Sequence, residues 1–437
     1  MIQELSNKLQ EILTESSDKY SRDSGFVKRE SKLTGSKFAQ GLIFGWQNNP
    51  NISLSELTQV FSELGVNISE QGLSKRFNES GIFFMEKLLR ECLLLLNNEN
   101  EVSSLLLSKF SDVKVYDSTT VMLPKELIEY WTGNGSRTGS KTTSAIKISA
   151  SLSLKSGSLN LSIEDGFNND RNAELIINED IVSNSLSIKD MGYFSLESFD
   201  TIDKKGAYYC SRLKLQTKIY SLDDKELDIL NIMNDKIILD KDVIVGNTQR
   251  LKCRLLVSRL SKEKENERIN EIKKQAKREG LQPSKNRLKL AAFNIFITNA
   301  DRDKLSFDEA LVLMKSRWQI ELLFKLWKSY CQIDKSRSKN SKRILIELYA
   351  KLIGAIISHQ FMVIGMWNNI DRSMFKAIKI IQKNIPFIIE SFSKGITEIQ
   401  NSVQKICSKL EDCRIKKRGK RPATYQFIQQ RKIYSYA

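Results

Sequence analysis

The segment "SRWQIELLFKLWKS", residues 316–329, carries Arg317, Glu321, Lys325 and Lys328 among bulky apolar side chains. At about 100° per residue, these four charged residues fall within about 80° of one another on a helical wheel. Apolar residues fill most of the remaining circle, whereas an ordinary amphipathic helix has a broad polar face and a narrower apolar stripe. We therefore predict a largely buried helix over roughly 306–330, whose narrow charged side faces either internal ion-pair partners or a functional site.

A purely structural explanation of this charged side stays open at this point. Arg317 and Glu321 are four residues apart, and an ion pair at that spacing supports a helix by only a few tenths of a kcal/mol. The rest of the chain has to decide between this explanation and a functional site.

The overall charge favours a nucleic-acid partner. The chain has 437 residues, and 69 Lys and Arg against 52 Asp and Glu give a net charge of +17. Such an excess is expected for a protein that binds nucleic acid. No segment supports a membrane partner: the most apolar one, residues 352–367, contains Ser358, His359 and Gln360 and is predicted to be a core helix, and the polar N-terminus does not fit a signal peptide.

The residue types leave carboxylates as the candidates for catalysis. The six cysteines are scattered without CxxC spacing and His359 is the single histidine, which disfavours a structural zinc site. One histidine in an apolar segment also argues against a serine- or cysteine-hydrolase mechanism. Unpaired thiols are typical of a reducing cytoplasm.

The first 110 residues read as helical and contain a candidate helix-turn-helix over about 53–81. Ser53 or Ser55 can cap its first helix, and Ser69 can cap a second helix running through Phe77. The side chains predicted to project from this second, DNA-recognition helix are Gln71, Ser74, Lys75 and Arg76. A plain helical hairpin remains the alternative.

The pattern changes near residue 112 to that of an α/β fold. Strands are predicted at 112–123, 145–154, 158–166, 185–194 and 207–214, with helices at 172–178 and 195–205. Three antiparallel strands followed by alternating helix and strand predict a mixed five-stranded sheet. Residues 215–290 interrupt it with short strands and a charged, solvated helix, a buried strand follows at 291–300, residues 343–410 are helical, and a basic cluster lies at 414–421.

Three acidic residues are candidates for metal-dependent chemistry because of where they lie. Asp117 interrupts the first strand, Asp190 ends the fourth strand, and Glu321 lies on the charged side of the helix at 306–330. Functional groups gather at strand ends in sheets of this kind. Three carboxylates that converge there could hold two divalent cations, which stabilise the attacking and leaving oxygens of a phosphodiester.

Four motifs then identify a family. "YDSTTVMLP", "IKDMGYFSLESF", "FITNADRDKLS" and "RWQIELLFKLWKS" resemble the IS4-family DDE transposases, which include the transposases of the composite transposons Tn5 and Tn10. The resemblance implies an RNase H-like core with helices on both faces of its sheet and a β-rich insertion between its second and third acids. We expect a helical DNA-binding domain at 1–110, the catalytic domain at 111–345 with its insertion at about 215–290, and a helical region at 346–437 that serves in dimerisation.

The resemblance also assigns roles to individual residues. Asp117, Asp190 and Glu321 match the catalytic triad, which is implied to bind two Mg²⁺ or Mn²⁺ ions. Arg317 and Lys328 match the basic residues of the family's Tyr-x2-Arg-x3-Glu-x6-Lys signature, which approach DNA phosphates together with the nearby Lys325, whereas the tyrosine position is Met314. Some relatives stack a flipped base on tryptophan, and Phe293 is the nearest aromatic substitute here.

The implied activity is cut-and-paste DNA transposition in the bacterial cytoplasm, in association with the nucleoid. The enzyme is expected to bind double-stranded DNA at the terminal inverted repeats, cleave the ends through a hairpin intermediate, and join them to target DNA as a homodimer. Two alternatives remain: a catalytically inactive DNA-binding protein or repressor derived from a transposase, and another RNase H-like nuclease such as a junction resolvase.

Overall fold

The N-terminal quarter of the chain is a bundle of helices. We describe a computed structural model over residues 1–95, 102–135, 142–170, 173, 181–233, 236–416 and 423–431. Its first helices are α1 (Ile2–Glu11), which continues through a π-helical turn (Ile12–Ser16) into α2 (Ser17–Asp23), then α3 (Gly35–Asn48), α4 (Leu54–Glu63), α5 (Glu70–Ser74) and α6 (Glu79–Leu95).

Helices α4 and α5 form the helix pair predicted at 53–81. Ser53 caps α4 in a reciprocal capping box with Glu56, and the Ser69 hydroxyl accepts a hydrogen bond from Gly72 N at the start of α5. The prediction that the second helix runs through Phe77 is wrong. Helix α5 ends at Ser74, because the chain tightens there into i→i+3 turns, with Phe77 N donating to Ser74 O.

The predicted mixed sheet is present. Its strands are β1 (Val113–Leu123), β2 (Thr132–Gly135), β3 (Thr142–Ser153), β4 (Leu159–Asp165), β5 (Leu186–Lys189) and β6 (Tyr208–Arg212), and α7 (Leu196–Lys204) connects the last two. Strand β3 pairs antiparallel with β1 and β4, whereas β5 pairs in parallel with β1 and β6. The helix predicted at 172–178 lies outside the described residues.

The inserted segment extends this sheet, which is therefore larger than the predicted five strands. It contains β7 (Ile219–Tyr220), β8 (Glu226–Leu227), α8 (Ile229–Met233), β9 (Ile238–Val245), β10 (Leu251–Arg259), α9 (Lys262–Arg278) and α10 (Lys285–Leu290), and β11 (Phe293–Thr298) follows. Because β11 pairs antiparallel with both β6 and β10, the described strands form one sheet of eleven. The strands and the solvated helix predicted within 215–290 are confirmed as β9, β10 and α9.

The remaining helices cover one face of the sheet. They are α11 (Phe307–Ser316), α12 (Trp318–Leu326), which continues into a π-helical turn (Trp327–Cys331), α13 (Ser341–Met366), α14 (Met374–Phe392), α15 (Ile396–Leu410) and α16 (Thr424–Gln430). The single helix predicted at 306–330 is thus divided at Arg317. The Ser316 hydroxyl donates to Val312 O, 2.9 Å away, and such back-bonding bends helices.

One large apolar core joins the N-terminal helices, this face of the sheet and the C-terminal helices. A second core packs α7 and the insertion against the opposite face. Helix α13 is apolar and long enough to cross a membrane, but 94% of its most apolar window is buried within the protein, which confirms the predicted core helix. All six cysteines are free and buried.

Candidate active site

Asp117 lies in the middle of β1, on the face that α12 covers. Side chains alternate between the two faces of a strand, so Asp117 points to the same side as the buried Val113 and Val115. It pairs across the sheet with Ala150 of β3, whose small side chain leaves room beside the carboxylate. The backbone N–H of Ser118 donates to the Asp117 carboxylate at 2.9 Å.

Asp190 reaches the same region because β1 and β5 are parallel neighbours. Val115 is in register with Ile188, so Asp117 and Asp190 occupy equivalent positions two residues further along. Asp190 follows the last residue of β5 and precedes a 3₁₀ turn at Met191–Tyr193. From β6, the Arg212 Nε lies 3.4 Å from Asp190 Oδ1.

Arg317 joins the three acidic residues. Its Nη1 lies 3.7 Å from Asp117 Oδ2, and its Nη2 lies 3.5 Å from Asp190 Oδ2. The same guanidinium donates a hydrogen bond to Glu321, which is in the first turn of α12. The Arg317–Glu321 pair considered as a purely structural feature therefore exists, but it is one part of a four-residue cluster that the structure brings together.

Burial and the neighbouring negative charges raise the pKa of Asp117 within this cluster. Desolvation is the main cause that raises the pKa of Asp117 to about 6, and the charges of Glu321 and Asp190 add to it. The hydrogen bond from Ser118 and the charge of Arg317 act in the opposite direction. The Asp117 carboxyl group therefore loses its proton less readily than a solvent-exposed aspartic acid.

The donor set suits a hard divalent cation. It consists of carboxylate oxygens, which Mg²⁺ and Mn²⁺ prefer, and it contains no histidine or thiolate. Within the described part of the chain, no three acidic, His or Cys side chains are already gathered closely enough to ligate one ion. The cation that these carboxylates now surround is the Arg317 guanidinium, so metal binding requires this side chain to move aside.

The other residues of the predicted signature surround this cluster. Lys328 extends towards β1, where its Nζ lies 3.3 Å from Thr120 O, and Lys325 is exposed. Met314, at the signature tyrosine position, is buried in the large core and presents no surface to a ligand.

The predicted aromatic and recognition residues lie apart from the carboxylates. Phe293 is only 7% exposed in the core of the insertion, and the Arg259 guanidinium lies 5.6 Å from the centre of its ring, so neither ring face is open to a base. On the helix pair at 53–81, Gln71, Ser74 and Lys75 are exposed, whereas Arg76 is half-buried against the ring of Phe26.

Two features near the site were missed in the sequence. Trp318 was assigned to the apolar surface of a buried helix, yet it is 50% exposed, directly after Arg317. The Asp170 carboxylate accepts a hydrogen bond from Ser118 Oγ at 2.7 Å and forms an ion pair with Lys147 Nζ at 2.6 Å. It therefore ties down the residue that follows Asp117. Its location in an irregular loop gave no periodic signal.

Comparison with known proteins gives consistent matches over most of the chain. The profile of the transposase DDE domain matches residues 108–357. The transposase for insertion sequence element IS231B of Bacillus thuringiensis subsp. berliner is 28% identical over 430 residues, covering 92% of this chain and 88% of that protein. The corresponding IS231F protein of B. thuringiensis subsp. israelensis is 29% identical over 422 residues, covering 89% and 87%. The transposase for IS1151 of Clostridium perfringens is 27% identical over 364 residues, covering 78% and 76%.

Proposed function

Because this chain belongs to the DDE transposases, we propose that it is a cut-and-paste enzyme that cleaves and transfers the ends of its own insertion sequence. The family resemblance predicted from four sequence motifs is thereby confirmed. The proposed partners are the terminal inverted repeats and target DNA. The observation that carries the proposal is the convergence of Asp117, Asp190 and Glu321 on a single guanidinium.

The carboxylates are proposed to act as the metal-binding triad. Two Mg²⁺ or Mn²⁺ ions, when bound, would activate the attacking oxygen and stabilise the leaving oxygen of a phosphodiester. Asp117 and Asp190 stand on adjacent parallel strands, so the sheet fixes the spacing between them. Glu321 lies on α12, which packs against β1 and so brings the third carboxylate to the same guanidinium.

Arg317 and Lys328 are proposed to bind the DNA phosphates near the cut. Arg317 has a planar, bidentate donor group and can exchange its carboxylate partners for a phosphate. Lys328 holds only a backbone carbonyl at 3.3 Å, which a phosphate can replace at little cost. The exposed Lys325 would add a longer-range attraction. For base stacking, we replace Phe293 with Trp318, because only the latter exposes its ring.

The remaining steps are those that the family resemblance implies, each an in-line displacement at phosphorus. A first cut frees a 3′-hydroxyl, which attacks the opposite strand to form a hairpin, and the reopened ends then attack target DNA. The exposed recognition residues Gln71, Ser74 and Lys75 are proposed to read the inverted repeats, with a homodimer holding the two ends. The C-terminal helices are the proposed contact between subunits.

An inactive, repressor-like DNA-binding protein is the second candidate function, and the burial of Met314 at the signature tyrosine position is the observation in its favour. The decisive experiment is cleavage of DNA carrying the element's own ends in Mg²⁺, comparing the wild type with Glu321→Gln. Nicking by the wild type alone supports the transposase. Binding of the ends by both proteins without nicking supports the repressor, and cutting of branched DNA without regard to end sequence supports a junction nuclease.

A further inference from the structure

A basic segment connects the helix that carries Glu321 to α13. After the π-helical turn that follows α12, residues 332–340 run across the surface to the start of α13. Lys335, Arg337 and Lys339 are all exposed along this segment, and Asp334 is its single acidic residue. We refer to Lys335, Arg337 and Lys339 as the basic clamp.

A buried ion pair on α13 forms hydrogen bonds with this segment and holds its backbone in place. Glu347 and Lys351 lie one turn apart on α13, their side chains are 4% and 1% exposed, and Lys351 Nζ is 2.7 Å from Glu347 Oε1. Lys351 also donates to Lys335 O at 2.8 Å and to Gln332 O at 3.2 Å. Glu347 accepts from the Ser336 hydroxyl at 2.7 Å. A buried pair so connected holds the segment in one conformation before any ligand arrives.

Serine and asparagine side chains give the segment further rigidity. The backbone N–H of Ser338 donates to Ser336 Oγ at 3.1 Å, and that of Asn340 donates to Ser338 Oγ at 3.0 Å. The Asn340 side chain then caps α13 by accepting from Arg343 N at 3.0 Å. The three basic side chains therefore project from a backbone that has little conformational freedom left to lose on binding.

Beyond this segment, the first turn of α13 contacts the residues that lead from α5 into α6. Lys342, in the first turn of α13, pairs with Glu79 at 2.7 Å, and the Arg343 guanidinium lies 5.4 Å from the centre of the Phe77 ring. The pKa of Glu56 on α4 is lowered chiefly by its hydrogen bonds with Ser53, and the charge of Arg337 adds to this effect. Arg337 is thus within electrostatic reach of the first helix of the pair.

We propose that the basic clamp binds the DNA backbone between the helix pair at 53–81 and the catalytic carboxylates, and thereby sets the distance from the recognised sequence to the cut. The proposal rests on the proposed function. At about 1.5 Å per step, the ten steps from Glu321 to Cys331, which end in the π-helical turn, span at most about 15 Å. At 3.4 Å per step, this length corresponds to about four base pairs, so one duplex can contact both ends of the helix.

The test is DNA binding at several salt concentrations. The basic clamp is removed in the triple variant Lys335→Gln, Arg337→Gln, Lys339→Gln. The matched control is Lys273→Gln, Lys274→Gln, Lys277→Gln, which removes the same charge from exposed positions of α9. The dissociation constant for a duplex carrying the terminal repeat is measured from low to physiological salt, and hydroxyl-radical footprints are recorded for each protein. Circular dichroism verifies that the variants are folded.

The logarithm of the association constant falls linearly with the logarithm of the salt concentration, and each phosphate contact adds about 0.9 to the steepness of that fall. We expect the steepness of this salt dependence to be smaller by about 2 to 3 in the clamp variant, while the control matches the wild type. In the footprint, the clamp variant should lose protection of the DNA between the recognised repeat and the cut end. An unchanged slope, or an equal fall in the control, overturns the basic clamp. Failure of the wild type to cut its own ends would instead overturn the proposed function, because the binding measurement requires no cleavage.

Discussion

The guanidinium of Arg317 lies 3.7 Å from the carboxylate of Asp117 and simultaneously contacts Asp190 and Glu321. Three negative charges and one positive charge leave the cluster at −2 when all four groups are ionised. Side chains in this cluster are between 12% and 33% exposed, so water screens the repulsion only in part. The Arg317 guanidinium therefore offsets the repulsion among the three carboxylates, and the proposed divalent ions would have to take its place.

The first prediction concerns Arg317→Gln. Without the guanidinium, three carboxylates face one another, and we expect the metal-free protein to lose about 1–3 kcal/mol of stability. Mn²⁺ should then raise the melting temperature of the variant more than that of the wild type, because the ion no longer competes with Arg317. Thermal unfolding in EDTA and in Mn²⁺ measures both effects.

Arg212→Gln is the matched control for Arg317→Gln, since Arg212 pairs with one carboxylate of the described cluster, that of Asp190, at 3.4 Å. Its response to Mn²⁺ should resemble that of the wild type. An equal Mn²⁺-induced shift in the wild type and in Arg317→Gln would contradict the competition between guanidinium and metal.

The second prediction concerns Asp117→Asn. The amide keeps the size of the side chain and removes one metal-binding charge, so we expect unchanged DNA affinity and a fall in cleavage rate on the order of 10⁴ or more. Single-turnover cleavage and gel-shift titration of an end duplex measure the two quantities. Asp200→Asn, at a half-buried carboxylate on α7 paired with Lys204, is the control and should cleave normally. Loss of the circular dichroism signal in Asp117→Asn would show that the residue is structural.

Local periodicity accounts for what could be read from the sequence. The alternation in residues 112–123 predicts β1 and makes Asp117 stand out among apolar neighbours, and the narrow charged side of 316–329 points to Glu321. The extension of the sheet could not be read in the same way. It depends on the pairing of β6 with β11, two strands about 85 residues apart along the chain, and no local pattern specifies such a partner.

Two further features that were missed depend on side-chain contacts, one of them distant along the chain and one local. Asp170 acquires its role from Ser118, 52 residues away, and from Lys147 on β3. The helix is divided at Arg317, next to the Ser316 hydroxyl that donates a hydrogen bond to Val312 O. A serine in the sequence does not by itself indicate such a bend. Hydrophobic periodicity predicts which residues are buried, and neither the contacts of Asp170 nor the hydrogen bond of Ser316 alters that pattern.

The third prediction concerns Asp170→Asn. The change leaves Lys147, whose side chain is 9% exposed, without its carboxylate partner and loosens Ser118 beside Asp117. We expect the cleavage rate at saturating DNA to fall about tenfold, while the dissociation constant for DNA stays the same. Asn169→Ala, an exposed neighbour in the same loop, is the control. Equal cleavage rates in the two variants would remove Asp170 from the residues that position the site.

The fourth prediction concerns the buried pair below the basic clamp. Either Glu347→Gln or Lys351→Met leaves one charge buried without a partner, and we expect each to cost about 3–5 kcal/mol in the free energy of unfolding. The double variant should recover part of this loss, because it buries no charge. Urea unfolding of the four proteins gives the coupling energy, and additive losses would show that the two side chains do not interact.

The fifth prediction follows from His359, the single histidine of the chain. Its ring is buried in α13, with Nε2 2.8 Å from Gly157 O and with the Trp367 ring against it, and the Arg372 guanidinium nearby disfavours a second positive charge. Burial is the main cause that lowers the pKa of His359 to about 4, whereas an unfolded chain titrates near 6.5. Between these values the unfolded state binds a proton that the folded state does not. Stability from the neutral ring is therefore complete above about pH 6.5, falls as the pH drops towards 4, and by linkage amounts to about 3 kcal/mol at most.

His359→Gln keeps a donor for Gly157 O and removes the titration, so the difference in unfolding free energy between wild type and variant should shrink, or reverse, from pH 7.5 to pH 4.5. Carboxylates such as Asp117 titrate in both proteins and cancel from that difference, which means that a difference independent of pH would show that the ring is not held neutral by the fold.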